Sequence, residues 1–317
     1  MTTVCIASGK GGAGKTSLTA ALASTLASDL ASGQDMRCIF ADCDVDAANG
    51  AIALGAIQEV SEPYFAGSGF FIDPSACNGC GRCFTSCRFG AIKPVSNKKE
   101  FMIVPQLCER CGACVDRCPT RALSTFEKQA GVLLESSTGR GIWLVHAKLE
   151  PGEDTSGKLV NLVRRRAARL ASAESVILVD APPGIGCPVI ASLTGADLVI
   201  VVVEASASGI RDADRLATLA ASMKRRCVAV LNKTGLDHHM DKKAGSMLAE
   251  HGIPLAGEIP FDPRLRSAEE TGRTWASVNC GSSPRITSAI NAIISIVTSI
   301  SREGRMEVGS LKADESV

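Results

Sequence analysis

The sequence predicts an α/β protein built on a doubly wound, mainly parallel sheet, with a small α+β domain inserted into it. Three observations carry that prediction. Five short apolar, β-branched runs lack polar alternation, the pattern of strands covered on both faces. Helical stretches lie between them, and repeated strand-then-helix order defines the doubly wound class. From about Ala56 to Ala130 that rhythm stops and regularly spaced cysteines take over.

In chain order, Thr3–Ala7 is the first strand and Lys15–Leu30 the first helix, joined by a glycine-rich loop. Arg37–Ala41 is the second strand. After the interruption come helix Gly157–Ala171, strand Ser175–Asp180, helix Pro188–Thr194 and strand Asp197–Val203. Helix Ile210–Met223, strand Cys227–Leu231 and helix Met240–Glu250 follow. A last helix, Pro284–Ser301, carries Ile286, Ile290, Ile293, Ile294, Val297 and Ile300 at helical spacing, a face for packing on the sheet. The expected division is 1–56 and 131–303 for the α/β domain, 57–130 for the insert and 304–317 for a disordered polar tail.

Composition removes several function classes. Lys plus Arg is 34 and Asp plus Glu is 33, a net charge of +1, which argues against nucleic acid or an anionic membrane as partner. Nine Phe, two Trp and one Tyr make a poor base-stacking platform. The longest strongly apolar run, Leu198–Val203, is too short to span a bilayer. Met1-Thr-Thr-Val-Cys-Ile shows no basic segment or cleavage site, so a cytoplasmic location is expected. There the fourteen cysteines read as metal ligands rather than disulfides.

Eight of them form two runs of one pattern: Cys77, Cys80, Cys83 and Cys87, then Cys108, Cys111, Cys114 and Cys118 followed by Pro119. Phe71-Phe-Ile-Asp-Pro and Phe101-Met-Ile-Val-Pro precede the runs in parallel, and Ala91-Ile and Ala122-Leu follow them. The insert is therefore an internal duplication of about thirty residues. Thiolates spaced by two residues wrap three corners of a cubane cluster, and the fourth ligand comes from elsewhere. The segment closely resembles a bacterial two-cluster ferredoxin. That resemblance implies two 4Fe–4S clusters with crossed ligation: Cys77, Cys80, Cys83 and Cys118 on one, Cys108, Cys111, Cys114 and Cys87 on the other. Arg88 departs from the pattern, which usually has Pro there. Structural zinc is the competing reading, although zinc favours paired Cys-x2-Cys units at longer separations. A second competing reading makes the clusters mere staples of a small domain.

Gly9-Lys10-Gly11-Gly12-Ala13-Gly14-Lys15-Thr16-Ser17 contains the G-x-x-x-x-G-K-[ST] loop between a predicted strand and a predicted helix. Its glycines let backbone N–H groups approach phosphate oxygens at a helix N-terminus. Lys15 is expected to reach the β- and γ-phosphates of ATP, and Thr16 to ligate Mg2+. With Lys10 as a second lysine, the chain resembles the deviant P-loop ATPases of the MinD/ParA/Mrp group, which includes the nitrogenase iron protein. The resemblance implies a MinD-like P-loop NTPase fold and an ATP-dependent homodimer in which Lys10 reaches the partner's nucleotide. It implies that Asp44 orients the attacking water, that Asp42 belongs to the metal site, and that Asp180, in Asp180-Ala-Pro-Pro-Gly184, holds Mg2+. It also implies that Asn232, Lys233, Pro260 and Asp262 surround the adenine base. The chain is most similar to MinD-superfamily ATPases with a ferredoxin domain inserted after the switch I region, as here between Asp46 and Gly131. That group is often linked to metal-cofactor assembly.

Six cysteines remain. Cys5, Cys38 and Cys227 read as small core residues and Cys280 as a loop residue. Cys187 follows Asp180 by seven residues, the offset at which the iron protein has a cluster ligand. With Cys43 it could supply four thiolates across a twofold interface, against the plainer reading of a buried turn cysteine. His238-His239 reads as a solvated loop, and Arg164–Arg166 with Arg169 as a solvated helix face. The function expected is ATP-driven dimer switching coupled to electron transfer or metal-cofactor assembly on a partner protein, a second MinD-like paralogue among the candidates. The alternative is a MinD- or ParA-like spatial organiser with structural or sensory clusters.

Overall fold

The computed structural model describes residues 1–30, 37–96, 99–139, 141–153, 156–271, 273–277 and 284–314. Its strands are β1 (Thr2–Ala7), β2 (Cys38–Asp42), β3 (Ile57–Ile72), β4 (Ile92–Pro94), β5 (Phe101–Ile103), β6 (Leu123–Ser137), β7 (Ile142–Leu149), β8 (Val176–Asp180), β9 (Leu198–Glu204), β10 (Cys227–Thr234) and β11 (Leu255–Pro260). Its helices are α1 (Lys15–Leu30), α2 (Gly50–Leu54), α3 (Arg82–Ser86), α4 (Ala113–Asp116), α5 (Gly157–Leu170), α6 (Cys187–Leu193), α7 (Ala207–Ser222), α8 (His238–Glu250), α9 (Pro263–Glu270) and α10 (Pro284–Asp314).

Nine strands form one sheet in the order β11-β10-β9-β1-β8-β2-β7-β6-β3. β1 runs parallel to β8 and β9, β2 to β7 and β8, and β10 to β9 and β11. The five expected strands are therefore all present, at the centre of a parallel sheet. Every residue of β1, β2 and β8 is buried, so continuous apolar runs suit them better than alternation. On one face Val4, Ile6, Phe40, Leu144, Leu178 and Ile200 meet Leu18 and Leu22 of α1 and the stripe Ile286, Ile290, Ile293, Val297 and Ile300 of α10. Ile294 packs partly buried against the same cluster. Ser156 caps α5, its hydroxyl accepting from Leu159 N–H at 3.2 Å, and α5 turns Leu159, Val160, Val163 and Ala167 inward.

The sequence pattern did not disclose α2, β3, β6, β7, α9 or β11. β3 ends the sheet and is exposed along most of its length, so its residues are not an apolar run. The last helix continues to Asp314, beyond Ser301 and into the tail expected to be disordered. The added stretch, Arg302–Asp314, holds no proline and several good helix formers. Cys280 lies outside the described residues.

The chain divides into two compact units. One comprises Met1–Ser61, Leu133–Lys148 and Asp154–Val317; the other comprises Glu62–Val132 and Leu149–Glu153. In the second, β4 and β5 pair antiparallel with Ile92 opposite Ile103, and α3 and α4 follow the two cysteine loops. Its core is Cys83, Ile92 and Leu123, with Ile72, Phe101, Ile103 and Val115 packed around them. Among the described residues no helix is long and apolar enough to cross a membrane.

Candidate functional site

The loop between β1 and α1 depends on glycine at two points. Gly14 has φ +95, and a Cβ there would stand 2.3 Å from Asn232 Nδ2. A Cβ on Gly9 would meet the Asp212 carbonyl oxygen at 2.1 Å. The loop leads into α1 with Lys15 buried and Thr16 half-buried. Gly11, Gly12, Gly14, Lys15, Thr16 and Ser17 line a cleft of about 850 Å³, within the size range of ligand pockets. Asp44, Asp46, Ala47 and Asn49 form another wall, Pro182, Pro183, Gly186, Pro188 and Val189 a third, and Glu269 of α9 a fourth.

At the cleft's base, strand register sets Asp42 beside Asp180. Both are fully buried. Asp180 Oδ2 accepts from Thr16 Oγ1 at 2.5 Å, while Asp180 Oδ1 is buried without a partner. Asp42 Oδ1 accepts from Asp44 N–H at 3.2 Å and Oδ2 from Gly50 N–H at 2.9 Å. Burial pushes the Asp180 carboxyl up to about 7, and burial beside Asp180 raises Asp42 well above the carboxylate range. Burial also raises Asp44, with Lys15 opposing it. Two buried carboxylates and a hydroxyl are hard oxygen donors, and an orphaned carboxylate oxygen asks for a cation, so these residues fit Mg2+.

Lys10 is engaged within its own chain: Nζ donates to Glu204 Oε1 at 2.7 Å and to Ser206 Oγ at 3.4 Å. Lys233 Nζ donates to Glu204 Oε2 at 2.8 Å and to the Gly12 carbonyl at 2.9 Å. Burial works against the Glu204 carboxylate, but hydrogen bonds from Lys10 and Lys233 hold it below its ordinary range. Glu204, which joins both lysines to the loop, was missed from sequence; its only signal was an acid ending an apolar strand. Asp46, Asn49 and Glu269 were missed as well.

None of the four expected adenine-contacting residues lines the cleft. Asn232 is buried and donates to the Ala13 carbonyl at 2.8 Å. Asp262 caps α9, accepting from Arg264 N–H at 3.0 Å, and pairs with the Arg264 side chain; Pro260 ends β11. Cys187 is exposed at the start of α6, which corrects the plainer reading of a buried turn cysteine. Cys43 is fully buried, with its thiol raised by burial and then by Asp42. Of the two cysteines expected at a twofold interface, Cys187 is therefore exposed and Cys43 enclosed in its own chain. Cys5 and Cys38 are core residues, their thiols pushed up to about 12 by burial.

In the second unit the eight cysteines separate into two sets. Cys77, Cys80, Cys83 and Cys118 line one cavity; Cys87, Cys108, Cys111 and Cys114 line another. The backbone repeats as well: Gly79, Gly81 and Gly90 have φ +71, +73 and +62, and Arg110, Gly112 and Arg121 have +56, +76 and +54. Ala122 N–H donates to Cys118 Sγ at 3.2 Å. Against burial, the Thr120 side chain and backbone N–H groups hold Cys118 below the thiol range. Backbone groups of Ala91 and Phe89 do the same for Cys87, whereas burial raises Cys83 and Cys114. Among the described residues, no three His, Cys, Asp or Glu side chains are grouped to hold a metal ion.

A parallel α/β sheet with a glycine loop, a buried lysine and paired carboxylates at its strand ends defines a P-loop nucleotide-binding protein. The family model of the CobQ/CobB/MinD/ParA nucleotide binding domain matches residues 4–275, and the chain belongs to that family, one of P-loop ATPases. An uncharacterized protein of Methanocaldococcus jannaschii is 31% identical over 259 residues, 82% of this chain and 84% of the relative. A second from the same organism is 27% identical over 281 residues, 88% and 93% of the two chains. The fold is shared with the septum site-determining protein MinD complexed with Mg-ADP from Pyrococcus horikoshii (16% identity, 94% and 95% of the chains, TM-score 0.54). It is shared equally with a variant of Cyanothece McdA in complex with ATP (16%, 94% and 96%, 0.56) and with the MinC:MinD complex of Aquifex aeolicus (20%, 94% and 96%, 0.53).

Proposed function

We propose that this protein is an ATP-hydrolysing switch of the MinD/ParA kind whose second P-loop lysine, Lys10, acts across a homodimer. The observation that carries the reading is the partnerless Asp180 Oδ1 beside the Thr16 hydroxyl and Asp42, at the foot of a glycine loop. Thr16 and Asp180 would hold Mg2+, which neutralises phosphate charge when bound. Lys15 and the loop N–H groups bind the phosphates. Asp44, on the cleft wall, orients the attacking water. Lys10 leaves Glu204 to reach the second copy's nucleotide.

What the switch acts on has two readings. The resemblance in fold to MinD and McdA favours a spatial organiser whose insert is structural or sensory. The division of the cysteines into two cavity-lining quartets, each completed by the other repeat's fourth cysteine, favours two 4Fe–4S clusters serving electron transfer or metal-cofactor assembly on a partner. Sedimentation with and without Mg-ATP, beside anoxic iron analysis, tests both layers. The switch predicts dimers with ATP that Lys10→Ala abolishes. The cluster reading predicts about eight irons per chain; stoichiometric zinc overturns it.

A further inference from the structure

The end of β10 beside the glycine loop is irregular, and the irregularity aims two neighbouring side chains at one target. β10 pairs with β11 through Asn232 opposite Ile259 and Thr234 opposite Pro260, which leaves Lys233 as an extra residue in the ladder. Lys233 has φ +59. A lysine meets a steric penalty in that left-handed region and keeps the conformation only where its surroundings impose it. In an unbroken strand successive side chains point to opposite faces, so Asn232 and Lys233 would diverge. A bulge re-aims one of them. Here both reach the loop: Asn232 Nδ2 donates to the Ala13 carbonyl at 2.8 Å, and Lys233 Nζ to the Gly12 carbonyl at 2.9 Å.

Both side chains are themselves held. The Lys233 N–H donates to Asn232 Oδ1 at 2.9 Å, which leaves Nδ2 for the loop. Asn232 is buried, and a Cβ on Gly14 would stand 2.3 Å from its Nδ2. Glu204 sits opposite Asn232 in the pairing of β9 with β10. Its Oε2 accepts from Lys233 at 2.8 Å, while Oε1 accepts from Lys10. Lys233 therefore keeps its carboxylate when Lys10 departs.

In a trans peptide the C=O and the following N–H point opposite ways. Anchoring the Gly12 and Ala13 carbonyls on β10 turns the N–H groups of Ala13 and Gly14 away from that strand. Gly12 and Gly14 line the cleft. Successive N–H groups of such a loop bind phosphate oxygens, and a loop already anchored binds without first being ordered.

We infer that Asn232 and Lys233 are positioning residues that set the loop for a polyphosphate chain, whatever base that chain carries. The inference rests on the cleft being a nucleotide site. Contact with adenine, the role expected from sequence, makes the opposite prediction for a ligand without a base.

The test compares Mg-ATP with magnesium tripolyphosphate, which has no base, by isothermal titration on the full-length protein. The variants are Asn232→Ala and Lys233→Gly. Glycine suits the left-handed backbone, so in the second variant the bulge is kept and only the side-chain bonds are lost. Each variant should weaken both ligands by about fivefold or more, and by the same factor. In the nucleotide-free protein, amide hydrogen exchange of the Gly9–Ser17 peptide should quicken about threefold or more in both variants, with β1 and β9 unchanged. Weakened ATP binding with tripolyphosphate unaffected assigns the pair to the base and overturns the inference, as does unaltered exchange of the loop. Variants that bind both ligands as wild type does overturn this inference alone. A wild type that binds neither ligand overturns the switch reading together with it.

Discussion

The two units of this molecule are held together by different means. The sheet unit buries whole strands: β1, β2 and β8 are enclosed from end to end, and α1 and α10 seal one face with long aliphatic side chains. The cysteine-bearing unit buries Cys83, Ile92 and Leu123 at its centre and leaves Phe65, Phe71, Phe84, Met102 and Phe126 substantially exposed. A core that small rarely supports a fold unaided. The lesson is that the sheet unit is specified by apolar burial, whereas the second unit is specified by turn geometry and, under the cluster reading, by the metal proposed for its cysteines.

The largest expected effect follows from that difference. Removing bound metal with a chelator under anoxic conditions should unfold the second unit while the sheet unit keeps its structure and its nucleotide binding. Proteolysis confined to residues 62–132 would be the sign; simultaneous loss of both units would erase the distinction. The converse experiment is Phe40→Ala. Phe40 is fully buried in the sheet core, so truncation should cost about 3–5 kcal/mol and lower the unfolding midpoint of that unit. Metal content per folded chain should not change.

A pH dependence sharpens the contrast further. Asp180 is raised from 3.8 to about 7 in the folded state. Its folded form therefore holds a proton that the unfolded chain releases, and the associated stability is complete below about 4 and lost as pH rises through 7. Without Mg2+ the sheet unit should lose stability across that window, and Mg-nucleotide should remove the slope. A slope of opposite sign in chemical denaturation would show that Asp180 is ionised without a cation. The smallest effect concerns backbone strain. Arg121 sits at φ +54 where the first repeat has Gly90. Arg121→Gly should therefore stabilise the second unit by about 1 kcal/mol, measured by thermal unfolding.

Sequence legibility divides along the same line. Central strands were readable because burial on both faces demands unbroken apolar runs, and the glycine loop because phosphate-sized cradles tolerate few substitutes. β3 and β6 were not: β3 ends the sheet and β6 is exposed over its first half, so both carry polar and apolar residues together. The cysteine spacing announced two repeats, and the eight cysteines line two cavities in quartets. Glu204 left only the faint signal of an acid ending an apolar strand, because it matters through Lys10, 194 residues away in sequence. Asn232, Lys233, Pro260 and Asp262 were assigned by resemblance; in this chain Asn232 and Lys233 bond the loop, Pro260 ends β11 and Asp262 caps α9.

The cluster reading proposes two metal sites on a nucleotide switch, with ligands that cross between the repeats. Anoxic iron quantitation with cysteine mapping on Cys118→Ala tests it most directly. Wild type should hold about eight irons, and the variant about four, with Cys77, Cys80 and Cys83 becoming open to alkylation while Cys108, Cys111 and Cys114 stay protected. Exposure of Cys108, Cys111 and Cys114 instead, or stoichiometric zinc in place of iron, would contradict the account.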